Sequence, residues 1–425
     1  MSFSSLGLST PLLNAIVAQG FTQPTPIQSE VIPVMLTGQD VLATAQTGSG
    51  KTAAFCLPIL ERFQQSLKQE RSQQKYVQTL ILVPTRELAV QVGDTLLQLS
   101  KQLNHPAKLA VLFGGISINP QMMHLRGGAD IVVATPGRLL DLHTKNAISL
   151  AQVQCLILDE ADKMLALGFA DELNQILALL PAQRQSGFFS ATFADNVQIL
   201  ANSMLKNPQS IAIENTLENR ADITQRAIVV DAPNRTQLLK HLYVSEKWSR
   251  VLVFVATKYT ADLVADKLRR ARISAEAFHG EQTQGKRSQV IADFKAARVK
   301  VVIATDVAAR GLDISQLPVV VNYDLPRSSD DYIHRIGRTG RAGESGLAIN
   351  FICSDAANEA HFRLIEKRHD ILIEREQIDG FLPESKNITA MQVAQELPLD
   401  PNGGVKGKRP SKKDKLRALQ QKEPQ

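Results

Sequence analysis

The sequence predicts an α/β fold of two tandem parallel-sheet domains, and three observations predict it. Short runs rich in Val, Ile and Leu alternate with longer helix-like stretches, the pattern of a parallel sheet wrapped by helices. The alternation comes as two series, with a polar stretch lacking a sustained period, residues 207–226, between them. A chain of 425 residues also exceeds what one core usually organises.

Taken in order, the strands expected in the first series are DVLATA, TLILVP, KLAVLF, DIVVAT, CLILD and GFFSA. The second series is AIVVDA, VLVFVA, AEAFH, KVVIAT, VVVNYD and LAINFI. Domain boundaries follow as 1–206, a linker over 207–226, a second domain over 227–372, and an extension over 373–425 that is acidic and then basic and is expected to be largely disordered. Nearly every chemically informative motif begins where one of these strands ends, which is where open α/β sheets place their ligand sites.

Composition narrows the function. The net charge of +6 is carried by residues 401–425, which hold eight Lys or Arg against two Asp or Glu. Any nucleic-acid groove in the folded part must therefore be local, built from particular arginines and backbone amides. No apolar run is long enough for a membrane helix, and with Lys51 as the first basic residue of the chain no targeting signal is expected. Cys56, Cys155 and Cys353 are scattered through apolar runs and read as reduced core thiols in a cytoplasmic protein. The eight histidines show no metal-ligand spacing.

Two segments carry most of the chemistry. AQTGSGKT, Ala45 to Thr52, lies between a strand and a helix-forming run, the setting of a phosphate loop, although Ala45 stands where the strict pattern has Gly. Its Gly48, Ser49 and Gly50 would turn backbone amides toward phosphates, Lys51 would sit at the β and γ phosphates, and Thr52 would contact magnesium. LILDEAD, ending at Asp162, is an apolar strand that delivers Asp159 to the hydrated metal and Glu160 to the attacking water. The pair predicts a bound nucleoside triphosphate, ATP or a close relative, with Mg2+; the resemblance described below implies ATP.

With these motifs in place, the chain resembles a DEAD-box RNA helicase over roughly residues 3–370. The resemblance rests on an ordered set: Phe3 upstream of GFTQPTPIQ (Gly20 to Gln28), AQTGSGKT, PTRELA (Pro84 to Ala89), Gly114-Gly115, TPGR (Thr135 to Arg138), DEAD and SAT (Ser190 to Thr192). VFVATK, FHG (Phe278 to Gly280), ATDVAARGLD (Ala304 to Asp313) and HRIGRTGR (His334 to Arg341) follow in the second half. FGGISINPQMMHLRGG (Phe113 to Gly128) resembles the bacterial RhlE-type branch. The resemblance implies two RecA-like lobes, a superfamily 2 helicase core, followed by a short basic tail.

It also implies roles. Phe3, Phe21 and Gln28, in a nucleotide-sensing segment over residues 1–29, would recognise adenine; ordinary helix packing is the alternative for both phenylalanines. Arg338 and Arg341 would share a helical face if the segment is helical and would act on the γ phosphate, a solvated basic face being the alternative; His334 would link to the water site, and Gly311 and Asp313 would contact ATP. Ser190 and Thr192 would couple nucleotide state to lobe closure, or else form a plain strand-end turn. RNA contacts map onto Pro84, Thr85, Arg86, Gly115, Thr135, Pro136 and Arg138, and onto Lys258, Gly280, Thr305, Asp306 and Arg310. With no interleaved aromatics, they imply a sequence-independent grip on the RNA backbone.

Lys163 follows DEAD where the resembled branch usually has arginine. The function implied is an ATP-dependent RNA helicase that separates short duplexes and remodels ribonucleoprotein; ribosomal RNA precursors and an RNA-decay complex are the classes of partner it admits. An ATP-gated RNA clamp without unwinding fits the same motifs, and a DNA translocase on the same lobes is a further alternative.

Overall fold

The structure is a computed structural model that describes residues 2–45, 48–69, 76–213, 223–309, 314, 316–340 and 345–384. The chain divides into two compact units, one built chiefly from residues up to 220 and the other chiefly from residues after it.

The first unit contains strands β1 (Val41–Thr44), β2 (Thr79–Leu82), β3 (Leu109–Leu112), β4 (Ile131–Ala134), β5 (Cys155–Leu158), β6 (Gln185–Ser190) and β7 (Gln209–Ala212). All pair in parallel, in the order β3-β4-β2-β5-β6-β1-β7. The second unit contains β8 (Ile223–Val230), β9 (Val251–Val255), β10 (Ala275–Phe278), β11 (Val301–Thr305), β12 (Val319–Asn322), β13 (Gly346–Cys353) and β14 (Arg375–Glu376), ordered β10-β11-β9-β12-β13-β8-β14. Strand for strand, this is the topology of the first unit repeated.

The strands read as continuous apolar runs because helices cover both faces of each sheet. In the first unit Ile81, Val133, Ile157 and Phe189 pack on one face with Phe55, Leu60 and Val92, while Leu80, Val132, Leu156 and Phe188 pack on the other with Leu139, Ile176 and Leu200. The second unit alternates likewise, Ile228 and Val230 on one side, Ala227 and Val229 on the other.

Two expectations need correction. Residues 207–226 are not linker at their ends: β7 pairs with β1, and 223–226 open β8. QSIA buries only Ile211, so this edge strand carries almost no apolar signal. Nor does the folded second unit stop at 372, since β14 pairs with β8. There charge takes the place of apolar content: the Arg375 guanidinium is held by Glu359 and Glu366, and Glu376 by Arg226. The expected disorder of the tail concerns residues 385–425, which lie outside the described residues.

Candidate nucleotide and RNA site

The phosphate loop leaves β1 at Ala45 and enters helix α3 (Lys51–Gln69). Gly50, at φ +95°, needs a left-handed backbone, and an added Cβ there would also strike the Gln28 amide. Gln28 is buried between its own helix, α2 (Pro26–Leu36), and this loop: Nε2 donates to the Gly50 carbonyl at 3.2 Å and Oε1 accepts from the Thr25 amide at 3.0 Å. The Ser49 hydroxyl is buried with no hydrogen-bond partner among the described residues. Lys51 is 6% exposed and donates from Nζ to the Ala45 carbonyl. Burial lowers its pKa, against the pull of Asp159 and Glu160. Thr52 is half-buried on the first turn of the helix. Left-handed glycines, a buried hydroxyl, a buried ammonium and a helix N-terminus fit phosphate oxygens.

Asp159 follows β5 directly. Its amide donates to the Leu82 carbonyl at 3.0 Å, and its Oδ1 accepts from the Glu160 amide at 2.9 Å. Burial pushes this carboxyl up to about 7, opposed mainly by Lys51. Glu160 precedes helix α7 (Ala161–Ala166) with left-handed backbone angles, φ 53° and ψ 47°. A non-glycine residue held there costs roughly 1–3 kcal/mol, strain of the kind concentrated at functional sites. Glu160 Oε1 accepts from Lys163 Nζ at 2.6 Å. Beside them the Thr192 hydroxyl donates to Asp162 Oδ2 at 3.1 Å, and the Ser190 hydroxyl donates to the Thr192 carbonyl at 2.7 Å. Lys51, Ser190 and Asp159 thus follow or end three adjacent strands, β1, β6 and β5.

Of the expected adenine contacts, Phe3 sits in the apolar cluster at 6% exposure, the packing alternative, whereas Phe21 is 37% exposed.

The expected RNA contacts of this unit gather at the ends of three further strands, β2, β3 and β4. Thr85, after Pro84, caps helix α4 (Arg86–Ser100), its hydroxyl accepting from the Leu88 amide at 3.3 Å. The Arg86 guanidinium covers Gly115, where φ is +78° and a Cβ would collide with it. Thr135 precedes helix α6 (Pro136–Thr144), in which buried Arg138 donates from Nη2 to the Ile116 carbonyl at 2.8 Å. One sheet edge is therefore split: β3-β4-β2 offers Arg, Thr and glycine amides, and β5-β6-β1 offers the phosphate loop and acids.

The second unit places its candidates on the equivalent strands. Lys258 opens helix α11 (Lys258–Arg270) after β9, as Arg86 opens α4 after β2, and each helix is capped by the preceding threonine. Lys258 pairs with Glu281, and Gly280, after β10, has open space around it. Thr305 ends β11, and Asp306 starts the short helix α13 (Asp306–Ala309). Both carboxylate oxygens of Asp306 accept from Arg335, at 2.6 and 2.7 Å.

Arg335 lies in helix α14 (Ser329–Ile336) with half-buried His334. The helix ends at Gly337, so Arg338 is buried in the turn beyond it and does not extend a helical face as expected. Arg310, Gly311, Asp313 and Arg341 lie outside the described residues.

The family description DEAD/DEAH box helicase matches residues 25–200, and Helicase conserved C-terminal domain matches 234–343. The structure of Saccharomyces cerevisiae Dbp5 bound to RNA and ADP BeF3 is 32% identical, with a TM-score of 0.78 over 93% of this chain and 99% of that one. The chain belongs to the DEAD-box ATP-dependent RNA helicase family. It is also similar to ATP-dependent RNA helicase DeaD of Escherichia coli (strain K12), 41% identical over 83% of this chain and 54% of the relative. DEAD-box ATP-dependent RNA helicase CshA of Bacillus cereus is 39% identical, with 83% of this chain and 65% of the relative covered. The chain spans about half the length of DeaD. Two tandem RecA-like domains, expected from the motifs, are the architecture observed.

The second unit also holds a buried polar network that sequence reasoning missed. Arg335 Nη1 donates to Asn322 Oδ1 at 2.9 Å, Asn322 Nδ2 to Asn350 Oδ1 at 2.8 Å, and Asn350 Nδ2 to the Tyr332 oxygen at 3.2 Å. The signal was present as an asparagine inside each of two apolar strands, and β12 and β13 pair these two in register. No helix among the described residues is long and apolar enough to cross a membrane.

Proposed function

We propose that the protein is an RNA-stimulated ATPase that uses ATP binding and hydrolysis to separate short RNA duplexes and remodel ribonucleoprotein. The observation that carries this is the split sheet edge of the first unit, where Lys51 and Asp159 stand on one half and Arg86, Gly115 and Arg138 on the other. A phosphate chain and an RNA backbone can then be read by a single rigid sheet. The names of similar proteins, DeaD and CshA as RNA helicases and Dbp5 bound to RNA and ADP BeF3, support the same substrates.

In this reading the amides around Gly50 and the Lys51 ammonium hold the β and γ phosphates. Thr52 and Asp159 would hold Mg2+, which supplies charge neutralisation at the transferring phosphate. Their fit rests on the enclosed Asp159 carboxyl, raised by burial and so favoured by a cation beside it. Glu160 orients the attacking water and accepts its proton. The contact of Thr192 with Asp162 carries nucleotide state into the SAT segment. Phe21 and Gln28 recognise adenine, and Arg338 acts on the γ phosphate.

RNA is held through phosphates and 2′-hydroxyls by Arg86, Thr135, Arg138, Lys258 and the amides near Gly115, Gly280 and Asp306. Membership of the RhlE-like branch is part of the proposal and rests on the segment from Phe113 to Gly128. A cytoplasmic setting is supported by three free, buried thiols.

The test is strand displacement from a short RNA duplex, with a matched DNA duplex as control. ATP-dependent release of the RNA strand is expected; RNA binding without displacement would replace the helicase by a clamp, and equal action on DNA would remove the RNA assignment.

A further inference from the structure

Lys163 has a more specific task than supplying a basic residue after the acids. Its side chain is as enclosed as the carboxylate it meets, 5% against 6% exposed, and Nζ donates to Glu160 Oε1 at 2.6 Å. A buried charge-assisted hydrogen bond of this length is directional as well as neutralising. Glu160 has particular need of direction, because its left-handed backbone lies outside the regular turn of α7 and the helix does not set its side chain. With Oε1 held, rotation of the carboxylate about Cγ–Cδ is fixed, and the direction of Oε2 with it. Lys51, the other buried ammonium here, donates to the Ala45 carbonyl at the phosphate loop.

We propose that Lys163 is a positioning residue for hydrolysis, holding the Glu160 carboxylate in the orientation from which it aligns the attacking water. The proposal rests on the role given to Glu160 above. Lys163 exchanges no proton and touches no substrate; it acts through Glu160 alone. Removing it should therefore lower turnover and leave ATP binding intact.

The experiment measures kcat and KM for ATP at saturating single-stranded RNA, together with equilibrium binding of a fluorescent ATP analogue, on full-length wild type, Lys163→Met, Lys163→Arg and Glu160→Gln. A positioned general base contributes about 10² to 10⁴ in rate, and losing its orientation should forfeit about tenfold or more of it. Lys163→Met is expected to show that loss in kcat with analogue affinity unchanged, and Lys163→Arg to recover most of it. Turnover of Lys163→Met close to wild type, loss of analogue affinity in parallel with kcat, or an arginine variant no faster than the methionine variant would each overturn the proposal. If the methionine variant does not fold, Lys163→Gln is read by the same criteria. Wild-type turnover in Glu160→Gln would instead remove the role of Glu160 itself, a result separable from any of these.

Discussion

Arg335 holds both carboxylate oxygens of Asp306 from an enclosed position, Nε to Oδ1 at 2.6 Å and Nη2 to Oδ2 at 2.7 Å. The same guanidinium reaches the Asp324 carbonyl and lies 5.0 Å from the centre of the Phe254 ring. The end of β11, the end of β12 and α14 are thereby fixed to one another. Asp306, an expected RNA contact directly after β11, is thus held by an ion pair whose guanidinium is buried and whose carboxylate is partly exposed.

Asp306→Ala should accordingly destabilise the protein by about 3 kcal/mol, because it leaves a buried guanidinium without its counter-charge. Denaturant unfolding measures this. Near-wild-type stability would show that Arg335 re-pairs elsewhere.

Gly115→Ala should push the Arg86 guanidinium off the loop and strain a backbone at φ +78°. Losing a hydrogen bond to a charged group costs about 1.5–3 kcal/mol, so RNA affinity should fall about tenfold or more while ATP-analogue affinity stays unchanged. Titration of labelled single-stranded RNA at fixed salt reads the effect.

The Asp159 carboxyl gives a pH signature in protein free of nucleotide and divalent ions. Its folded-state pKa is raised to about 7 from an ordinary 3.8, so the folded state keeps a proton that the unfolded state has lost. That contribution is full below the unfolded value and disappears as pH rises through 7. As pH rises through 7 the wild type should therefore lose stability that Asp159→Asn keeps. Parallel pH profiles of the two proteins would contradict the burial of this carboxyl.

Much of this was legible in the sequence. Strands buried on both faces announce themselves as apolar runs, and ligand residues follow them at strand ends, so DVLATA led to Lys51 and CLILD to Asp159. What stayed hidden depends on contacts distant in sequence or on edges without apolar content. QSIA and the two-residue β14 lack the pattern. The pairing of Asn322 with Asn350 appears only once β12 and β13 are in register. Phe3 and Phe21 could not be told apart until one was found in the core and the other at the surface. The helical face expected for Arg338 failed because Gly337 ends α14 one residue earlier.

Lys51→Ala removes the buried ammonium from the phosphate loop and should reduce ATP turnover by about 10² or more, the usual effect of deleting one group that stabilises developing charge. Steady-state kinetics at saturating RNA check this, and retention of wild-type turnover would displace Lys51 from the site.

If one sheet edge binds both ATP and RNA, each must affect the other, and steady-state ATP hydrolysis at one stated salt concentration, without nucleic acid, with single-stranded RNA and with DNA of matched sequence, measures that coupling. Strong stimulation by RNA and little by DNA is expected; turnover indifferent to RNA would show that the two do not share this edge.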